Sequence, residues 1–295
     1  MHRPLAPRPL SPKGRGVFAA FLLTLLAATP SASQTSAKPQ RIVSLNVCVD
    51  QLLLLMAERR RIAALTQFST DPDFSNLSAA ARGLRQTHGR AEEILPLAPD
   101  LVIGGEYTTT DTLTLLRRLG LRVEVMKLAN SLADVRANML WVGRLVGEGE
   151  KAAAMVREYD RRVAAVAAEI PPGRRPVVAF YNTSGYTAAP GTLADDAIRA
   201  AGFDNLAAKL KLGSDGRLHL EWLATHRVDA LLVVDTEGTS SSRAVETVSH
   251  PAIRRLAADR PFAAIPGRLW VCETPFVAEA IERLARLRRD ARMRR

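Results

Sequence analysis

Two segments of this chain follow one template at a constant offset of 129 residues. Glu92 to Val102 and Glu221 to Leu231 each begin with a Glu and a short amphipathic stretch, EEILPLAP and EWLATHRV. Each places an Asp eight residues after that Glu, Asp100 and Asp229, and then runs into LVIGG or ALLVVD. A short helix, a tight turn through Asp and a continuous apolar run make half of a βαβ unit. Such a run marks a strand covered on both faces, as parallel strands are. The duplication predicts two similar α/β lobes in one chain. Two like lobes leave a cleft between them, and ligand sites favour such clefts.

The remaining sequence fits that frame. IVSL and IAALT (62–66) are predicted strands, with a loop through Asn46 to Asp50 and a helix from Gln51 to Ala57 between them. A helix over 112–119 stops at Gly120, a residue suited to the left-handed turn that ends helices, and RVEVM (122–126) completes the first lobe. From Leu132 to about Ile170 no strand is predicted. Met155, Val156, Tyr159, Val163, Val166 and Ile170 recur at three- and four-residue steps and form one apolar stripe. Gly147 and Gly149 divide this region into two helices, the second over about 150–169. Pro171-Pro172-Gly173 ends it, and VVAFY (177–181) opens the second lobe. Thr192 and Asp195 have capping-box spacing ahead of a helix that ends at Gly202. A short helix after Pro251, a strand RLWVC (268–272) and a last helix from Pro275 are expected to close the fold. The predicted division is 34–131 for the first lobe, 132–172 for the helical connection and 173–295 for the second lobe with a basic tail. Strands alternating with helices in both halves make the class α/β with parallel sheets.

Residues 1–33 are expected to be a secretory signal. Arg3, Arg8, Lys13 and Arg15 form a basic head, Val17 to Ala28 is apolar, and Ser31-Ala32-Ser33 offers small residues for cleavage. No Cys lies at the cleavage point, so a lipid anchor there is not expected. The net charge of +11 is misleading. The first 15 residues carry four basic groups and no acid, and residues 283–295 carry seven Arg against Asp290. Those two segments account for all but one of the eleven charges, so the folded body is nearly neutral and nucleic acid is not an expected partner. Cys48 and Cys272 are one per lobe. Export permits a disulfide, and both a bridge and two free thiols remain open. Their spacing excludes a paired-Cys zinc motif.

Ligands of parallel α/β sheets approach the carboxyl ends of the strands. That rule selects Asn46 to Cys48, Gln67 to Thr70 and Glu106 to Thr109 in the first lobe. In the second it selects Asn182 to Ala188, Thr236 to Thr239 and Cys272 to Phe276. Aromatic residues are only 5% of the chain, yet Phe68, Tyr107, Tyr181, Tyr186, Trp270 and Phe276 fall in or beside these loops. Flat aromatic surface suits a large planar or chelated ligand. Tyr181 and Trp270 sit on predicted strands, where core packing is the competing role. A bare metal ion is not expected, because it needs several His and carboxylates together. Only His88 lies in a suitable loop. A single tyrosinate can ligate heme iron, which keeps heme open through Tyr107 or Tyr186, and Arg90 is the nearest cation for a charged siderophore. No G-x-S-x-G elbow, Walker loop or G-x-G-x-x-G after a strand is present, so catalysis is not expected.

RIVSLNVCVDQLLL, EEILPLAPDLVIGG, the long connecting helix, LEWLATHRVDALLVVD, HPAIRRL and PGRLWV-CETPF occur in this order across the mature chain. The chain thereby resembles the class III periplasmic substrate-binding proteins of ABC importers for cobalamin and ferric siderophores. The resemblance implies two Rossmann-like lobes joined by a rigid helix, with a metal chelate held in the cleft and small closure on binding. It implies a monomer that delivers its cargo to an ABC permease and its ATPase. It also implies docking through one acid on each lobe, at the positions of Glu92 and Glu221, with Glu93 competing for the first role. Among chelates a corrinoid is favoured, a ferric siderophore next, and the protein carries no cofactor of its own.

Overall fold

The computed structural model describes residues 37–182, 185–213, 216–235, 251–258 and 260–293. The expected signal segment (1–33), Ser184 and the Thr236–Thr239 loop lie outside the described residues. Two wholly parallel sheets are present. The first has strands β1 (Ile42–Ser44), β2 (Ile62–Thr66), β3 (Gln86–Thr87), β4 (Leu101–Gly105) and β5 (Val123–Met126), in the order β3-β2-β1-β4-β5. The second has β6 (Val177–Tyr181), β7 (Asp204–Asn205), β8 (Ala230–Asp235) and β9 (Phe262–Pro266), in the order β7-β6-β8-β9. Each order reverses beside the lobe's first strand, between β1 and β4 and between β6 and β8. That reversal defines the switch point of a doubly wound sheet.

The helices are α1 (Val47–Met56), α2 (Ser78–Ala81), α3 (Ala91–Ile94), α4 (Thr110–Arg118), α5 (Leu132–Leu145) and α6 (Gly149–Ala168). They continue with α7 (Leu193–Ala200), α8 (Leu206–Lys209), α9 (Leu220–Thr225), α10 (Pro251–Ala258) and α11 (Val277–Met293). None of them, among the described residues, is long and apolar enough to cross a membrane.

Strand periodicity sorts the core into layers. Ile42, Leu101 and Ile103 of the first sheet and Val178, Phe180, Ala230 and Leu232 of the second point into one continuous core. That core also takes the buried faces of α1, α5, α6, α7 and α11. The alternate residues, Val43 and Val102, and Val177, Ala179, Leu231 and Val233, face two separate outer cores. Both faces of every central strand are thus apolar, which is why LVIGG and ALLVVD carry no alternating polar pattern.

The connecting helix is as expected but is no free-standing spacer. Its stripe of Tyr159 and Val166, with Met155, Val156 and Val163 partly buried, packs into the shared core. At 20 residues it spans roughly 30 Å. Arg162 on α6 makes a two-pronged ion pair with Glu282 on α11, at 2.7 and 2.8 Å.

The repeated Asp has one job in both lobes. Asp100 Oδ1 accepts from the Arg41 backbone N–H at 2.9 Å, and Asp229 Oδ2 accepts from Val177 N–H at 2.8 Å. Each carboxylate therefore pins the entry of the lobe's first strand to the start of the repeat strand. The capping expectation at Thr192 also matches, since its Oγ1 accepts from Asp195 N–H.

Two local expectations are corrected. The segment after β1 is not a loop running to Asp50. Asn46 caps a helix that begins at Val47, accepting from Cys48 N–H at 2.9 Å and Val49 N–H at 3.1 Å. RLWVC is not the final strand. FAAIP pairs with β8 instead, ending where Asp235 aligns with Pro266. Proline has no N–H to continue a ladder, and the chain turns through a short 3-10 helix, Gly267–Leu269.

Candidate ligand-binding site

The carboxyl ends of the first sheet's strands open into a pocket of about 240 Å³. Leu45 and Asn46 contribute from the end of β1, Thr66, Gln67 and Phe68 from β2, Thr87 and His88 from β3, and Tyr107 and Thr108 from the turn after β4. The pocket therefore sits at the switch point between β1 and β4, where diverging connections leave room.

The wall is built by a short chain of local requirements. Asn46 must cap α1, so its amide leans towards the end of β4. A Cβ on Gly105 would lie 2.3 Å from Asn46 Nδ2, so only glycine admits the cap there. Thr108 then ties the two strand ends together: its hydroxyl accepts from Gly105 N–H at 2.9 Å and donates to Leu45 O at 3.2 Å. Tyr107, next to that tie, is held out from the surface with 82% of its area exposed. Phe68, stacked at a tilt on Phe74 with centroids 5.2 Å apart, is the second aromatic wall.

Beneath the pocket lies a buried carboxyl. Asp50 accepts from the Thr66 hydroxyl at 2.5 Å and from Thr66 N–H at 3.1 Å. Burial pushes this acid up to about 7, against the hydrogen bonds from Ser44 and Thr66 that favour its charged form.

The structure separates the residues selected from sequence by their surroundings. Asn46, Phe68 and Tyr107 line one pocket. Tyr181 (3% exposed) and Trp270 (7%) are core residues, Trp270 meeting Phe180 edge-on at 5.2 Å. Their positions on or beside apolar strands dictate that burial. Phe276 is half-buried against the shared core. Tyr186, in the second lobe, is 45% exposed and carries Arg217, which lies 4.6 Å over its ring and donates to its hydroxyl at 3.0 Å.

Cys48 and Cys272 form a disulfide with Cα atoms 4.9 Å apart. It joins the first turn of α1 to the segment after the 3-10 helix, and so ties one lobe to the other. Polar ties flank it. Asn76 Nδ2 donates to Arg268 O at 2.6 Å, and buried Glu273 accepts from Ala129 N–H at 3.0 Å. Burial raises the Glu273 carboxyl above its ordinary value. Neither Asn76 nor Glu273 stands out in the sequence, because nothing local marks a residue whose partner is over 140 positions away.

Glu92 and Glu221 are exposed in the first turns of α3 and α9. Glu93 differs. Its carboxylate accepts from the Thr87 hydroxyl and from His88 N–H, both at 2.6 Å. Those bonds hold it below the usual glutamate range. Thr87 and Gly89 are further pocket residues that sequence reasoning did not select. The only hint was a two-residue strand too short to register as one.

The family model described as "Periplasmic binding protein" matches residues 42–260. A "Cobalamin-binding protein" of Halobacterium salinarum is 32% identical over 191 residues, 63% of this chain. The chain spans about half (52%) of that relative's length. Among solved structures, the apo heme-binding protein RhuT of Roseiflexus sp. RS-1 superposes with a TM-score of 0.66 at 21% identity, covering 84% of this chain and 98% of that one. The vitamin B12-binding protein BtuF of Vibrio cholerae gives 0.63 at 18% identity, covering 86% and 98%. These likenesses show a shared two-lobed fold. With the parallel sheets, the central helical core and the match over most of its length, the chain belongs to the periplasmic binding protein family.

Proposed function

We propose that this chain is an exported binding protein that captures a metal chelate between its lobes and hands it to an ABC permease with its ATPase. A corrinoid is the favoured cargo and a ferric siderophore the next. The observation that carries the reading is the pocket at the β1/β4 switch point, walled by Asn46, Phe68 and Tyr107. At about 240 Å³ it is smaller than the roughly 300–1,000 Å³ of sites that enclose a drug-sized ligand. It suits one edge of a large, flat ligand whose remainder meets the second lobe. The cobalamin-binding relative supports the corrinoid within that class.

Heme is the second reading. Tyr107 and Tyr186 are exposed phenols, a phenolate is an iron ligand, and Arg217 holds the Tyr186 hydroxyl by a hydrogen bond at 3.0 Å. Glu92 and Glu221, one exposed acid on each copy of the repeat, are assigned to permease docking, and Glu93, already engaged within its own lobe, is not. The protein is a non-catalytic monomer in this reading, exported to the periplasm by its cleaved leader.

The test is a calorimetric titration of residues 34–295 with cyanocobalamin, with ferric heme and a ferric siderophore in parallel. Saturable binding of cyanocobalamin at sub-micromolar concentration supports the corrinoid. Binding of ferric heme alone moves the cargo to heme, and binding of none of the three sinks the chelate reading.

A further inference from the structure

Two adjacent glutamates on a four-residue helix point to different tasks. Glu92 is exposed, while the carboxylate of Glu93 reaches back to the strand end before its own helix. It accepts from the Thr87 hydroxyl, from His88 N–H and, at 3.2 Å, from His88 Nδ1. Thr87 Oγ1 in turn accepts from Gly89 N–H at 3.0 Å. Gly89 has φ +81°, a left-handed conformation that suits glycine. The whole Thr87–Gly89 wall of the pocket is therefore organised around one carboxylate.

An ionised carboxylate only accepts, so the His88 nitrogen facing it carries the proton. In the neutral ring the other nitrogen, Nε2, is then the lone-pair donor, on a side chain that lines the pocket. A carboxylate on one imidazole nitrogen with the other left free is the arrangement that orients metal-binding histidines and raises their basicity. No group of three or more His, Cys, Asp or Glu among the described residues could hold a bare ion. One imidazole can, however, occupy a single axial position of a metal already held by a macrocycle.

We propose that Glu93 is a positioning residue of the ligand pocket, and that it presents His88 Nε2 to the metal of a chelate with an exchangeable axial site. This rests on the proposed chelate-binding function. In the binding step, Nε2 gives its lone pair to the metal as the axial water leaves. Nδ1 keeps its proton, shared with Glu93, and no electron is transferred.

The probes are aquocobalamin and ferric heme, each titrated by absorbance into the full mature chain. Wild type should bind at least one of them with a band shift that reports replacement of the axial water. His88→Ala should lose the shift and bind at least about 10–100-fold more weakly, the range already seen when only the partner that orients a metal ligand is removed. Added imidazole should restore the shift. Glu93→Gln should weaken binding and displace the bands, Glu93→Asp should recover part of both, and Glu92→Gln should change neither. Circular dichroism and Tm show that each variant is folded. If His88→Ala binds with the wild-type spectrum, this assignment falls and the chelate reading stands. If wild type binds neither probe, this assignment falls, and the chelate reading then stands or falls with the siderophore titration.

Discussion

At the scale of single residues, Asp50 and Asn46 show how one side chain can serve fold and pocket together. Asp50 is fully buried and holds Thr66, a pocket residue. Its carboxyl is raised from 3.8 to about 7 by burial, so the folded state binds a proton that the unfolded chain releases above about pH 4. Stability from this group is complete below pH 4 and declines as the pH rises towards 7. Asp50→Asn, which resembles the protonated acid, should flatten that decline and leave the variant at least as stable as wild type at pH 7.5. Urea denaturation at pH 4.5, 6 and 7.5 measures it; an unchanged pH dependence in the variant would refute the assignment. Neither role was legible in the sequence. Asp50 reads there as one more acid after a strand, and only the 16-residue return to Thr66 buries it. Asn46 was legible as a candidate, but as a loop residue rather than as the cap whose side chain requires Gly105 opposite.

Elements decide how firmly the two lobes are joined. The disulfide closes a loop of 224 residues between α1 and the segment before α11. Constraining so long a loop in the unfolded chain is worth about 2–5 kcal/mol, so Cys48→Ala/Cys272→Ala should lower Tm by roughly 5–15 °C. Differential scanning calorimetry with and without reductant checks this, and reductant should have no effect on the double variant. Spacing could not choose between a bridge and free thiols, because it contains no information on how closely the first turn of α1 approaches the segment before α11. The strand at FAAIP was missed for a related reason. RLWVC has the stronger strand composition, yet pairing with β8 and the stop at Pro266 give the edge position to the weaker segment. The repeat was read correctly as helix, turn and buried strand, since its pattern is local and occurs twice.

For the molecule as a whole, the useful quantity is the pairing of two like charges on two like lobes. Reversing both, Glu92→Arg and Glu221→Arg, should leave the affinity for the chelate within about twofold, because exposed charges outside a pocket contribute little locally. Uptake in cells should fall to the level of a strain lacking the protein. A large loss of chelate affinity in that variant would remove the docking role. Sequence alone determined the class of this molecule: two α/β units, their order, the connecting helix and the turns through Asp100 and Asp229. Those follow from periodicity and from residue types repeated within a few positions, which are local properties of a chain. Tertiary structure alone decided which aromatics line a pocket and which fill a core, that Glu93 is engaged within its own lobe while Glu92 is exposed, and that the cysteines meet. Each of these depends on distances between residues far apart in sequence, and those distances exist only once the sheets and their shared helical layer have packed.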